Sequence, residues 1–238
     1  MKVAVCTPHH ANVHAKFTAS LFNMMEETRG NRITFNGSAT TPDVRLFMNS
    51  ASALPAQRNM LAHNALEWGA NYLLWLDSDH IFPVDTLTRL LSLNLPVVGA
   101  NYPRRTYPTF PTALSLSGEH VWTTQELAES GTVEQIASLG LGVCLMDMTV
   151  LDRLYQHALS QGRDTFWPLF AYEIVPGNLL GVGEDTYFFN GLKEAGIGVY
   201  VDHALSWQVG HIFEVVLSNA DALDQKESYL RSRGLPPA

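Results

Sequence analysis

Residues 72 to 80, Tyr-Leu-Leu-Trp-Leu-Asp-Ser-Asp-His, constrain the fold more than any other stretch of the chain. Five largely apolar residues stop abruptly at two carboxylates one residue apart. A short continuous apolar run predicts a strand buried on both faces, as in a parallel sheet covered by helices on each side. Asp77 and Asp79 then emerge at the strand's carboxyl end, where open α/β sheets place their ligands. In extended backbone residues i and i+2 point to the same side, so both carboxylates are expected to face one ion. Such a pair suits a hard divalent cation that takes further oxygens from a bound phosphate. The plainer alternative is a strand-to-helix turn in which one Asp caps the next helix.

The chain before this strand repeats a strand-helix rhythm. Lys2 to Cys6 reads as a buried strand, followed by the polar loop Thr-Pro-His-His-Ala-Asn. His14 to Glu27 has apolar residues at 17, 21, 22, 24 and 25, which is helical spacing, and it stops at Arg29-Gly30. Ile33 to Phe35 and Val44 to Met48 are short strands around turns. Ser52 to Trp68 is a helix with Pro55 early and Gly69 just past its end. After the acidic strand, Val84 to Leu93 is helical and Pro96 to Ala100 is another strand. The order predicts an α/β fold with a doubly wound, mostly parallel central sheet and helices on both faces; right-handed crossovers follow from the general chirality rule.

The second half is less regular. Asn101 to Pro111 is rich in Pro, Tyr and Arg. Leu139 to Asp147 is a strand introduced by glycines, and Thr149 to Leu159 is a helix. Residues 162 to 183 form a long irregular stretch, a length that in a compact domain usually serves function. Glu184 to Ala195 is helical, Gly198 to Val201 a strand, and 215 to 232 a terminal helix. We therefore expect one domain, with a regular first half at residues 1–101 and a less regular second half at 102–214. Residues 215–238 make a C-terminal helix and tail.

A chain of 238 residues, 46% hydrophobic and 16% charged, can bury a full core without staples. A net charge of −8 gives no global attraction to nucleic acid or anionic membranes. Cys6 and Cys144 sit in apolar runs and read as buried free thiols. There is no signal-peptide pattern and no run near the ~20 apolar residues of a membrane span. The expected compartment is the cytoplasm.

Three further features carry chemistry. Gly183-Glu184-Asp185 opens a helix, where acidic residues also act as ordinary dipole complements. Gly210-His211 follows the apolar Trp207 and Val209. Arg58-Asn59 lies in the helix before the acidic strand. Their order resembles the GT-A class of glycosyltransferases, especially family 2-like enzymes and their phage-encoded relatives. These have an Asp-x-Asp ending a central strand, a Gly-rich strand, a Glu-Asp pair heading a helix, another strand and a late Gly-His. Here those elements are Asp77-Ser78-Asp79, Gly140 to Met146, Gly183-Glu184-Asp185 with Leu192-Lys-Glu-Ala-Gly196, Val199 to Asp202, and Gly210-His211.

The resemblance implies a metal-dependent transfer of a sugar from a nucleoside-diphosphate sugar, UDP-sugar favoured, to an acceptor hydroxyl. It makes residues 1–101 the nucleotide- and metal-binding half and 102–214 the acceptor-binding and catalytic half. Mn²⁺ or Mg²⁺ would be held mainly by Asp79, with Asp77 touching the ion through water or reaching the ribose, and with His211 as the late metal-binding histidine. Thr7, Pro8 and His9 would line the nucleotide, and Arg58 would approach base, ribose or phosphates. Asp185 would be the base that takes the acceptor proton, with Glu184 as the alternative. Arg104 and Arg105 would contact phosphates of donor or acceptor, and Tyr102, Tyr107 and Trp167 offer stacking surfaces. The acceptor would be a glycan, a small molecule or a modified DNA base. The family 2 Gln-x-x-Arg-Trp motif is absent, so inversion and retention both remain open. Two other readings share the same residues: a nucleotidyltransferase acting on sugar phosphates, and a non-catalytic domain that binds nucleotide-sugar or carbohydrate.

Overall fold

The computed structural model describes residues 1–35, 37–163, 168–178, 181–214, 219, 223, 226–227 and 231. In chain order the elements are β1 (Lys2–Pro8), α1 (Ala15–Gly30), β2 (Ile33–Phe35), β3 (Ser38–Thr40), β4 (Asp43–Asn49), α2 (Leu54–Glu67), β5 (Tyr72–Leu76), β6 (His80–Ile81) and α3 (Thr86–Ser92). They continue with β7 (Val97–Gly99), α4 (Gln125–Glu129), β8 (Val133–Ile136), β9 (Val143–Asp147), α5 (Thr149–Ser160), α6 (Glu184–Glu194), β10 (Val199–Asp202), α7 (His203–Ser206) and β11 (Gly210–His211). Of the expected terminal helix, residues 219, 223, 226, 227 and 231 are helical. The rest of that segment, like Trp167, lies outside the described residues.

The main sheet has seven strands in the order β4-β1-β5-β9-β7-β10-β8. β1 pairs in parallel with β4 and β5, and β7 with β10, whereas β9 runs antiparallel to both neighbours and β8 antiparallel to β10. Five strands therefore share one direction, and β9 and β8 oppose it. The doubly wound expectation holds for the first half. It does not anticipate that the Gly-rich strand β9 inserts, reversed, between β5 and β7. That insertion needs a glycine in the neighbouring strand: a Cβ on Gly99 would sit 2.4 Å from the Val143 carbonyl oxygen and 2.8 Å from Leu139 Cδ1.

Alternation along the strands supplies two cores. Ala4, Cys6, Leu73 and Trp75 point to the face covered by α2, α5 and α6, through Leu61, Ala65, Leu154, Phe188 and Leu192. Val3, Val5, Leu74 and Leu76 point to the other face, against Phe17, Leu21 and Met24 of α1 and Leu87, Leu90 and Leu91 of α3. All five residues of β5 are buried, as a continuous apolar run requires when both faces are covered. Cys6 and Cys144 are buried free thiols. The irregular segment before α6 is tied into the first core: Phe170 packs on Trp75 (5.3 Å) and Phe188 (4.8 Å), and Asn59 brackets its backbone with hydrogen bonds of 2.8 and 3.1 Å. Among the described residues no helix is long and apolar enough to cross a membrane.

Candidate active site

β5 stops at Leu76 and the chain turns at once. The Asp77 N–H donates to the Gly142 carbonyl (3.0 Å), and the His80 N–H returns to the Asp77 carbonyl (3.3 Å). Residues 77–79 are thus a turn rather than an extended strand end, and the two carboxylates go to different partners. Arg58 Nη2 donates to both oxygens of Asp77, at 3.0 and 3.1 Å. Asp79 faces His80 (Nδ1 to Oδ1, 3.1 Å), His211 (Nε2 to Oδ2, 3.5 Å) and Arg105 (Nη1 to Oδ2, 2.7 Å). Asp79, His80 and His211 form one cluster, and Asp77, expected to face the same ion, lies outside it against Arg58.

The pairing of β6 with β11 sets His80 directly opposite His211. Their rings stack at 4.3 Å and 16°, and Tyr102 meets the His80 ring edge-on at 4.3 Å. One candidate ligand atom from each of Asp79, His80 and His211 lies within 4.8 Å of the others. His211 Nδ1 lies 2.9 Å from the Pro103 carbonyl oxygen. A carbonyl only accepts, so Nδ1 carries a proton and Nε2 is the nitrogen turned toward Asp79, the usual orientation of a metal-binding imidazole. His80 is 1% exposed, yet among the described residues neither of its ring nitrogens has a hydrogen-bond partner; the contact with Asp79 is close but misaligned. A buried polar atom without a partner costs about 1–3 kcal/mol. One carboxylate and two imidazole nitrogens, one of them orphaned, fit a divalent cation as the shared missing partner.

Burial disfavours the charged form of Asp79, but the His211 and His80 imidazoles and the Arg105 guanidinium outweigh it and hold the carboxyl well below the usual carboxylate range. The wall behind the cluster is backbone. A Cβ on Gly142 would lie 2.4 Å from His80 Cε1 and 2.7 Å from the Tyr102 hydroxyl, which itself accepts the Gly142 N–H at 2.8 Å.

Arg58 is 2% exposed and sits beneath Asp77. Besides Asp77 it reaches Glu184 Oε1 through Nε (3.4 Å) and lies 5.3 Å over the Trp75 ring. It is a buried counter-ion bridging two carboxylates, where the resemblance implied a direct approach to the nucleotide. Burial raises the pKa of Glu184, Arg58 opposes the shift, and Asp185 adds to it. Asp185 is half-buried, and its Oδ1 accepts the Thr186 N–H at 2.7 Å.

Thr7 and Pro8 are buried at the carboxyl end of β1, with the Thr7 hydroxyl unpartnered among the described residues, and the more open His9 donates its N–H to the Asn49 carbonyl (3.0 Å). Of the two arginines in the Pro-rich segment, Arg105 is the one that reaches Asp79. Arg104 stacks over Phe110 at 5.2 Å. Sequence reasoning singled out neither His80 as a ligand nor Arg105 as the partner of Asp79. For His80 the signal was its position directly after the Asp-x-Asp triplet; for Arg105 the double arginine gave no way to choose.

No protein-family model matches the sequence, and no curated protein sequence matches it significantly. Solved structures do resemble it. A197 from STIV superposes with a TM-score of 0.51 at 13% identity, covering 92% of this chain and 97% of that one. GalNAc-T7, solved with UDP, GalNAc and Mn²⁺, superposes with a TM-score of 0.53 at 13% identity over 99% of this chain. The present chain spans about half of that protein, 52% of its length. The architecture is the GT-A glycosyltransferase-like fold.

Proposed function

We propose that the protein is a metal-dependent glycosyltransferase that moves a sugar from a nucleoside-diphosphate sugar, with UDP as the favoured nucleotide, to an acceptor hydroxyl. The observation that carries this reading is the Asp79–His80–His211 cluster, with its buried unpartnered imidazole, at the carboxyl end of β5 in a GT-A-like fold. Asp79, His80 and His211 would hold the ion, and two imidazoles favour Mn²⁺ over Mg²⁺. When bound, the ion supplies positive charge against the departing nucleoside diphosphate.

The chain's own groups do the rest. Arg105, already drawn to Asp79, is placed to pair with donor phosphates. Arg58 holds Asp77 in a fixed orientation, which suits a carboxylate that accepts hydrogen bonds from a ribose. Asp185 is the better candidate to take the acceptor proton, because Glu184 is buried and already paired with Arg58. Thr7 and Pro8 at the carboxyl end of β1, with His9 just beyond, would lie beside the nucleotide. The test is thermal unfolding against a panel of nucleoside diphosphates with and without Mn²⁺. A ligand at about 100 times its Kd stabilises the fold by about 2.7 kcal/mol. We expect a shift with UDP that needs Mn²⁺ and is absent in Asp79→Asn. Sugar transfer undiminished in Asp79→Asn would sink the proposal.

A further inference from the structure

Two exposed tryptophans line one cleft beside the cluster. Trp122 and Trp207 are 61% and 55% exposed, and both face a cleft of about 260 Å³. A single exposed aromatic needs no explanation, but two on one concavity do. The cleft shares Tyr102 and Pro103 with the candidate active site. The Tyr102 ring touches His80 and His211, and the Pro103 carbonyl faces His211 Nδ1.

The chemistry of the lining selects the occupant. None of the described residues that line it bears a charge, so a phosphate or carboxylate would find no counter-ion among them; the Arg104 guanidinium is stacked on the Phe110 ring. Its hydroxyls are held in place. Thr123 Oγ1 lies 3.0 Å from His203 Nδ1, and His203 Nε2 lies 3.2 Å from Glu134. Ser206 Oγ donates to the Asp202 carbonyl (2.6 Å) and accepts the Asn101 N–H (2.8 Å), which leaves it one free lone pair. Clefts for drug-sized ligands run from about 300 Å³ upward, so this one suits a single six-membered ring better than a whole nucleotide. Flat indole faces with oriented hydroxyls and no charge match the C–H faces and hydroxyl rim of a sugar.

We propose that the Trp122–Trp207 cleft binds one pyranose ring of a neutral saccharide, the acceptor in the reaction above; the acceptor role rests on the glycosyltransferase reading, whereas the binding itself does not. The test is tryptophan emission during titration with neutral methyl pyranosides and disaccharides, with no metal or nucleotide present. Concentrations up to about 100 mM cover sites as weak as a Kd of about 1 mM. At least one saccharide should shift the emission. Trp122→Ala and Trp207→Ala should each weaken that binding about tenfold or more, the usual cost of losing an aromatic stacking partner. Both variants should keep the wild-type melting shift with Mn²⁺ and UDP. Saccharide binding without any Mn²⁺–UDP shift would uphold the cleft while removing the transferase reading. No emission change with any saccharide, or a change only with a free nucleoside, overturns the cleft proposal even if Mn²⁺–UDP binds normally.

Discussion

His80→Leu tests whether the buried imidazole waits for an ion. Without metal, and among the described residues, His80 carries Nε2 with no partner and Nδ1 with only a misaligned contact to Asp79. Leucine, similar in volume, removes an unsatisfied polar atom that costs about 1–3 kcal/mol. Against this stand the ring contacts with His211 and Tyr102, about 0.5–1.5 kcal/mol for each aromatic pair. Repacking a similar volume adds a cost usually under about 1.5 kcal/mol. The terms nearly cancel, so the metal-free variant should melt within a few degrees of wild type, at about 2–4 °C per kcal/mol for a chain this long. With Mn²⁺ and UDP at about 100 times Kd, the wild type gains about 2.7 kcal/mol, or about 5–10 °C. If the lost ligand weakens binding about 100-fold, the variant gains only about 0.4 kcal/mol at the same concentrations. Calorimetry with and without Mn²⁺–UDP reads both numbers. A variant with the full ligand shift shows that His80 is not a ligand; one that melts more than about 10 °C below wild type without metal shows that the imidazole had a structural partner.

Three further outcomes follow from particular contacts. Arg105→Gln removes a competing cation from Asp79, so Mn²⁺ alone should bind several-fold more tightly by calorimetric titration while sugar transfer falls; unchanged Mn²⁺ affinity would refute the competition. Because that ion pair is half-exposed, metal-free stability should change by less than about 1 kcal/mol. Gly99→Ala drives a Cβ into the Val143 carbonyl, which cannot yield without parting β7 from β9, and should cost at least the ~1–3 kcal/mol of an overpacked core in urea unfolding. Burial pushes the Cys144 thiol from 9.0 up to about 12. A raised folded pKa means stability that is complete below pH 9 and declines as pH rises toward 12, because the unfolded thiol ionises first, with a slope of about 1.4 kcal/mol per pH unit. The stability difference between wild type and Cys144→Ala should therefore narrow with that slope above pH 9, and a pH-independent difference would refute it.

Legibility in the sequence followed the range of the interactions. The strand at 72–76, the helices at 54–67 and 184–194 and both buried thiols depend on local periodicity and punctuation, which single-residue patterns carry. The reversal of β9 does not, because strand direction is set by which edges are free when the chain returns, not by the composition of the strand. The same holds for His80 facing His211 across β6 and β11, a pairing over more than a hundred residues between two very short strands.

The division of labour between the two aspartates shows how one turn rewrites a motif. Period-two reasoning assumed that β5 stays extended through Asp79, but the Asp77–Gly142 and His80–Asp77 backbone bonds end it at Leu76. Once the backbone turns, Asp77 falls over α2, where Arg58 is buried. An arginine that is 2% exposed requires carboxylate partners, since an uncompensated charge at such a site costs several kcal/mol. Asp77 and Glu184 meet that requirement together, which fixes the amino end of α6 against the end of β5 and with it the position of Asp185. Asp79 is left to the two imidazoles and Arg105. The Asp-x-Asp triplet thus joins two tasks through a single turn: its first carboxylate anchors the acidic helix start, and its second faces the cluster that suits a cation.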